Sequence, residues 1–282
     1  MITMTRRTFL AATAAAAGVA RADSFTGPLG LEIYSFRQAM KKEPLVTLAN
    51  IRRLGFHEVE VPEFYGLPPR DFRSALDDNG LRATSFLAQY DRMSKELTGV
   101  IRDAHTLGAT WVVFPWIPHN GALTLDDAHR AAKEMNAWAR DLASADLRFA
   151  YHPHGYEFGP SPQGTLFDTL AAETDPATVA FEMDTFWIAV PGQDCVALLE
   201  RYPKRFRLMH LKDLRKGSKT GDLSGQAPDE ESVAVGSGML PWPAILRAAR
   251  KAGVERYYIE DESPDAMRQV PESLVYLHSL EL

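Results

Sequence analysis

The sequence predicts an α/β protein built as a single eight-stranded parallel (β/α)8 TIM barrel. Three observations lead there: strict alternation of short β-rich runs with longer amphipathic stretches, eight such units within about 250 residues, and no interior linker. The β-rich runs are 29–34, 58–61, 81–87, 110–114, 147–151, 178–184, 207–211 and 256–260. Between and after them lie helical patterns at 45–54, 70–79, 94–107, 125–145, 164–174, 195–202, 241–252 and 265–280. Leu54-Gly55, Asn79-Gly80, Leu107-Gly108 and Ala252-Gly253 read as helix stops, because glycine accepts the left-handed cap. An open doubly wound sheet would carry a Gly-rich first strand-to-helix turn, and Tyr34-Ser35-Phe36-Arg37-Gln38 is not one.

Composition narrows the function. Of 282 residues, 45% are hydrophobic and 24% charged, which is ordinary for a globular chain. The formal charge of −6 argues against a nucleic-acid partner, which needs a basic stripe. Cys195 is the single cysteine, so there is no intrachain disulfide and no cysteine-based zinc cluster.

The first 22 residues read as an export signal. Thr5-Arg-Arg-Thr-Phe-Leu10, an apolar alanine-rich run, and Ala20-Arg-Ala22 follow the order of a twin-arginine-type signal peptide. The expected domains are therefore 1–22, signal, and 23–282, barrel, with a periplasmic destination and no membrane span. Loss of Arg6, Arg7 and Arg21 would move the net charge from −6 to −9. The segment 215–238 is charged, Gly-rich and aperiodic, and follows the seventh run, so it belongs to the face where barrel active sites lie.

Candidate site residues come from the strand C-termini. The fifth run leads into Tyr151-His-Pro-His-Gly-Tyr-Glu157, the sixth ends Glu182-Met-Asp184, the seventh His210-Leu-Lys212, and the eighth Ile259-Glu-Asp-Glu262. Four successive strands thus bring imidazoles and carboxylates to one half of the rim, a donor set for one divalent ion: Mn, Co, Mg or Zn. Each residue alone also has a structural explanation: a loop histidine, a cap by Asp184, an arginine partner for Glu260. The joint pattern favours a metal site among these strand-end groups. Glu157, Lys212, Glu260 and His154 are the acid/base candidates. A nearby cation would lower the Lys212 pKa, and a salt bridge of Lys212 with Asp213 or Glu182 is the competing role. Glu182 is expected to orient His210 or Lys212. Trp187, Trp116 and Tyr34, with Phe86 and Tyr156 beside them, stand near strand ends where aromatic rings pack on sugar C–H faces. Glu60 and Arg37 are expected on sugar hydroxyls or as a structural pair. The acidic stretch with Asp222, Asp229, Glu230 and Glu231 argues against a phosphorylated substrate.

Taken together, Leu29-Gly-Leu-Glu-Ile-Tyr-Ser-Phe-Arg37, Gly55-Phe-His-Glu-Val-Glu60, Tyr151-His-Pro-His-Gly-Tyr-Glu-Phe158, Glu182-Met-Asp-Thr-Phe-Trp187, His210-Leu-Lys-Asp213, Gly236-Ser-Gly-Met-Leu-Pro-Trp242 and Ile259-Glu-Asp-Glu262 resemble the xylose-isomerase-like sugar isomerase/epimerase superfamily over 28–282. The resemblance implies one divalent ion on strands five to eight, matched here by Asp184, His210 and Glu260. Where epimerases of the family place Glu at strand five, this chain has His152, with Glu157 five residues further on; the resemblance leaves either as the fourth ligand, His152 favoured by its position on the strand, and Trp187 stands where several carry histidine. These departures resemble a branch with His-x-His at strand five that includes inosose dehydratase-like and 3-keto-glycoside-cleaving enzymes. The leading expectation is a metal-dependent isomerase or epimerase of a non-phosphorylated sugar or keto-sugar acting through an enediolate. A lyase or dehydratase of the same superfamily is the alternative, and an exported sugar-binding barrel the non-enzymatic one. An apurinic endonuclease shares the barrel but needs a basic groove. The expected partner is a small carbohydrate; self-association as a homo-oligomer is left open.

Overall fold

A computed structural model describes residues 27–162 and 164–282. The export-signal reading of residues 1–22 lies outside them. Eight strands close a parallel barrel in sequence order: β1 (Leu29–Glu32), β2 (Glu58–Val61), β3 (Arg82–Leu87), β4 (Trp111–Phe114), β5 (Arg148–Tyr151), β6 (Val179–Asp184), β7 (Phe206–Leu211) and β8 (Arg256–Ile259). β8 returns to β1 with Leu31 opposite Ile259.

The helices obey local chemistry. Thr124 and Asp127 form a reciprocal capping box for Leu125–Ala143, and Thr165 with Asp168 does the same for Leu166–Glu173. Gly108 (φ 74°) and Gly253 (φ 87°) end their helices in the left-handed region. The first run stops at Glu32, where the Glu32 side chain accepts from Tyr34 N and starts a 3-10 turn at Ile33–Phe36. The helical pattern at 94–107 is two helices, Tyr90–Lys95 and Leu97–Leu107, broken at Glu96. A short helix, Thr185–Ala189, follows β6 directly. Among the described residues no helix is long and apolar enough to cross a membrane.

Two apolar layers hold the barrel. Outward-facing strand residues such as Leu31, Val59, Phe149 and Ile259 pack under the helices. Trp111, Val113, Ala150, Leu208 and Tyr258 fill the lumen. Tyr258 lies across Gly30, where a Cβ would come within 2.6 Å of its ring, so β1 must be bare there. Above this plug the strand interior turns polar.

Candidate active site and metal centre

At the end of β5 the chain turns sharply, and Glu157 makes the turn. Its carboxylate accepts from the backbone N–H groups of His154 (3.1 Å) and Gly155 (2.8 Å) and from the Tyr151 hydroxyl. The turn directs both His152 and His154 to one cavity. Glu157 itself is fully buried and does not line that cavity. Burial pushes its carboxyl up to about 7. The expectation that Glu157 is an acid/base group is thereby corrected: the carboxylate is occupied in shaping the backbone. Of the two strand-five ligand candidates, His152 stands in the cluster.

Asp184 closes β6 and serves two purposes at once. Its Oδ1 accepts from Phe186 N (2.8 Å) and Trp187 N (3.1 Å), capping the next helix. Its Oδ2 is buried and has no hydrogen-bond partner. That oxygen is 3.8 Å from His152 Nε2 and 3.8 Å from His210 Nδ1. Ligand atoms of His152, Asp184 and His210 all lie within 4.8 Å of one another. Glu260 Oε2 joins them at 3.0 Å from His210 Nδ1. Two imidazoles and two carboxylates, one of them with an orphaned buried oxygen, make a donor set that suits a divalent ion. Burial holds His152 well below the usual histidine range, the neutral form a ligand needs, whereas for His210 burial is outweighed by Glu182, Glu260 and Glu60, which raise it.

Lys212 sits one layer behind. Its Nζ is 2.5 Å from Glu262 Oε1, 3.5 Å from Glu260 Oε2 and 3.8 Å from Asp184 Oδ2, and it faces the Phe186 and Trp187 rings. Burial opposes the charge, but Glu260, Glu262 and Asp184 outweigh it and raise the Lys212 pKa. A lysine among three carboxylates stays an ammonium, which is the salt-bridged role expected of it but with other partners, and it does not line the cavity. Its competing partner Asp213 is engaged elsewhere, accepting from Gly236 N (2.9 Å), Gly238 N (3.1 Å) and Trp242 Nε1 (2.7 Å). Glu182 reaches His152 Nδ1 at 3.1 Å and His210 Nε2 at 3.4 Å rather than Lys212.

The cavity above measures about 620 Å³, within the range of small-molecule sites. Trp187, Trp116, Tyr34, His154 and Glu260 line it, as expected. His154 lies between Trp116 (5.2 Å between ring centroids) and Trp187 (5.5 Å). Its Nδ1 has no partner, and burial pushes its pKa down to about 4. Two expected substrate contacts are corrected. Glu60 lies beneath the cavity, bound to His210 Nε2 at 2.5 Å. Arg37 binds Asp229 Oδ2 (2.9 Å) and the Glu262 carbonyl (2.8 Å), tying the segment after β7 to the end of β8. The two do not pair with each other. Phe86 packs on Phe64 in the core, and the Tyr156 hydroxyl accepts from Ile117 N.

Sequence reasoning missed Glu32, Glu262, Gln226 and Asp229, all of which line the cavity. Period-two alternation from Gly30 would have pointed Glu32 inward. For Gln226 and Asp229 the signal was only that 215–238 belongs to the active-site face; the segment is aperiodic, so no pattern singles out which of its residues turn to the cavity. That segment forms a short antiparallel ribbon, Asp213–Leu214 with Ser232–Val233, and then a cavity wall at Gly225, Gln226 and Ala227.

A closed (β/α)8 barrel with such a cluster at the strand C-termini has the architecture of a barrel enzyme. The chain belongs to the xylose isomerase-like TIM barrel family, whose model matches residues 48–280. It is 26% identical over 271 residues to an inosose dehydratase of Lacticaseibacillus casei, covering 86% of this chain and 87% of that one. Among solved structures, a sugar phosphate isomerase/epimerase from Parabacteroides distasonis superposes with a TM-score of 0.71 at 24% identity, over 90% of this chain and 96% of that one. The IolI protein with a bound zinc atom superposes with a TM-score of 0.71 at 14% identity, over 90% of this chain and 99% of that one.

Proposed function

We propose that this protein is a divalent-metal-dependent lyase that dehydrates a keto-sugar or cyclic keto-polyol, working in the compartment reached by a twin-arginine signal at 1–22. The observation that carries the reading is Asp184 Oδ2, a buried oxygen with no hydrogen-bond partner, 3.8 Å from each of two imidazole nitrogens. His152, Asp184, His210 and Glu260 would hold the ion. When bound, it acts as a Lewis acid on a ketone and its neighbouring hydroxyl.

The rest is the work of the chain's own groups. Trp187 and Trp116 pack on the C–H face of the ring and limit water in the cavity. His154, which lines the cavity and is neutral well above its pKa of about 4, takes the proton from the carbon beside the ketone. The C–H electron pair becomes the new C=C bond as the β-hydroxyl leaves. His154 returns its proton to that hydroxyl, and water departs. A single base suffices for this elimination, whereas epimerisation needs a second group on the opposite face. Lys212 acts indirectly, fixing Glu260 and Glu262. The inosose dehydratase relatives support dehydration over the isomerase or epimerase expectation.

Metal analysis and mass spectrometry with inosose and a panel of keto-sugars test the reading. We expect near-stoichiometric metal in the parent, its loss in Asp184→Ala and His210→Ala, and a product lighter by one water. His154→Gln should keep the ion and slow turnover about 10²- to 10⁴-fold. Full metal in both ligand variants would remove the metal reading. A product of unchanged mass would return the protein to isomerisation.

A further inference from the structure

The polar layer beneath the cavity has a use beyond solvation. A (β/α)8 barrel usually fills its lumen with branched apolar side chains. Here Glu32, Glu60 and Glu182 point inward above the Tyr258 plug, all essentially without solvent exposure. Among the described residues no lysine or arginine pairs with Glu60 or Glu182; their ionic partners are histidines. Burying carboxylates without a cation is costly, so these two positions need a compensating role.

The hydrogen bonds show a repeated arrangement. His210 presents Nε2 to Glu60 Oε2 at 2.5 Å, and its other nitrogen, Nδ1, faces Glu260 Oε2 at 3.0 Å and Asp184 Oδ2 at 3.8 Å. His152 presents Nδ1 to Glu182 Oε2 at 3.1 Å, and its other nitrogen, Nε2, lies 3.8 Å from the same Asp184 oxygen. The two imidazoles use opposite nitrogens, yet each turns its rear nitrogen to a buried glutamate and its front nitrogen to Asp184 Oδ2. A glutamate that accepts the rear N–H fixes both the ring's rotation and its tautomer, leaving the front lone pair free.

We propose that Glu60 and Glu182 are positioning residues that lock His210 and His152 in opposite tautomers, Nε2–H and Nδ1–H, so that both front lone pairs converge beside Asp184. Neither glutamate touches substrate. This inference rests on the metal reading above and adds to it why the ion is held by these particular nitrogens.

Cobalt binding to the full-length protein tests it. The Co²⁺ dissociation constant is measured by chelator competition, with the visible d–d spectrum, metal stoichiometry and the melting temperature of the metal-free protein. Glu60→Gln and Glu182→Gln keep shape and volume; Glu60→Met removes the acceptor altogether. We expect each Gln variant to bind Co²⁺ about 10- to 100-fold more weakly with an altered d–d band, since loss of such partners typically has that effect. Glu60→Met should be weaker still. Metal-free melting temperatures should hold or rise, because a buried carboxylate whose partners are imidazoles and not a lysine or arginine has gone. A purely structural role would lower melting and leave the spectrum of the bound ion unchanged. Parental affinity and spectrum in both Gln variants would overturn the inference and leave the metal site standing. Two equivalents of metal in the parent and one in Glu60→Gln would also overturn it, making Glu32 and Glu60 ligands of a second ion. A parent that binds no cobalt would overturn the proposed function, and this inference with it.

Discussion

The two ends of the barrel are both charged, and they solve the problem of interior charge in opposite ways. At the floor, arginines and glutamates neutralise one another. Glu58 takes Arg82 and, at 3.6 Å, Arg256; Glu255 takes Arg207 and, at 2.5 Å, Arg148, whose guanidinium also covers the Trp111 ring at 3.8 Å. At the mouth, Glu32, Glu60, Glu182, Asp184, Glu260 and Glu262 face one ammonium, Lys212, and three imidazoles, His152, His154 and His210. The floor is a set of ion pairs that close the barrel. The mouth is a surplus of carboxyl donors, with Glu32 and Glu182 pushed well above the usual carboxylate range by burial and acidic neighbours, and with an unpartnered oxygen at its centre; a surplus of that kind is what a cation resolves. Charge alone therefore does not mark a site; the imbalance of charge does.

Matched substitutions at the two ends break or sharpen this contrast most strongly. Asp184→Asn keeps a capping oxygen for Phe186 and Trp187 but removes the negative ligand. Metal affinity should collapse and turnover fall about 10³-fold or more, the loss of several kcal/mol of charge stabilisation. Arg207→Gln at the floor leaves Glu255 with Arg148. Turnover there should stay near the parental value, with stability lowered by about 1 kcal/mol at most, because the pair is partly exposed. Steady-state kinetics and denaturant titration of both variants decide it. Equal kinetic damage at both ends would end the distinction.

Glu157 gives the next largest effect, and in stability rather than turnover. Its carboxyl is raised from 4.5 to about 7 by burial. A carboxyl raised on folding holds its proton more tightly in the native state. Its stabilising contribution is whole below pH 4.5 and is lost as pH rises through about 7. Across that window the parent should lose roughly 3 kcal/mol relative to Glu157→Gln, which has no proton to release there. Urea titrations of both proteins at pH 5 and pH 8 measure the difference. A difference that does not change with pH would mean that the backbone amides and the Tyr151 hydroxyl already keep Glu157 ionised.

These cases also show what the sequence could and could not reveal. The barrel was legible because each strand and helix carries its own periodicity and each cap its own residue. Asp184, His210 and Glu260 were legible because they end strands, and strand ends in a barrel share one rim. Glu60 also ends a strand, but its side chain contacts His210 across the lumen, a pairing 150 positions apart in the chain that no local pattern encodes. Glu157 looked like a candidate acid because it follows the same strand as His152. Its assignment to the backbone depends on a turn whose geometry the residues Gly155-Tyr156 do not announce. Lys212 was placed on the correct strand, but the direction of its pKa followed from three carboxylates at the end of β6 and after β8 that only the closed barrel brings together.

The mildest test concerns the wall of the mouth rather than its charges. Gly225 sits in the left-handed region (φ 69°) with its bare α-carbon against two rings. A Cβ there would lie 2.7 Å from the Tyr156 ring and 3.1 Å from Trp116. Only glycine lets the segment after β7 approach this closely, and Arg37 bound to Asp229 holds the segment in place four residues on. Gly225→Ala must either strain the backbone by about 1–2 kcal/mol or lift the wall off Trp116. If that energy is drawn from substrate binding, KM rises about five- to thirty-fold while kcat changes little, because the ion ligands and His154 are untouched. The split between KM and kcat is the diagnostic quantity. A fall in kcat at constant KM would mean that the segment acts on the chemistry and not on enclosure. The mouth would then owe its function to a moving part as well as to its unbalanced charge.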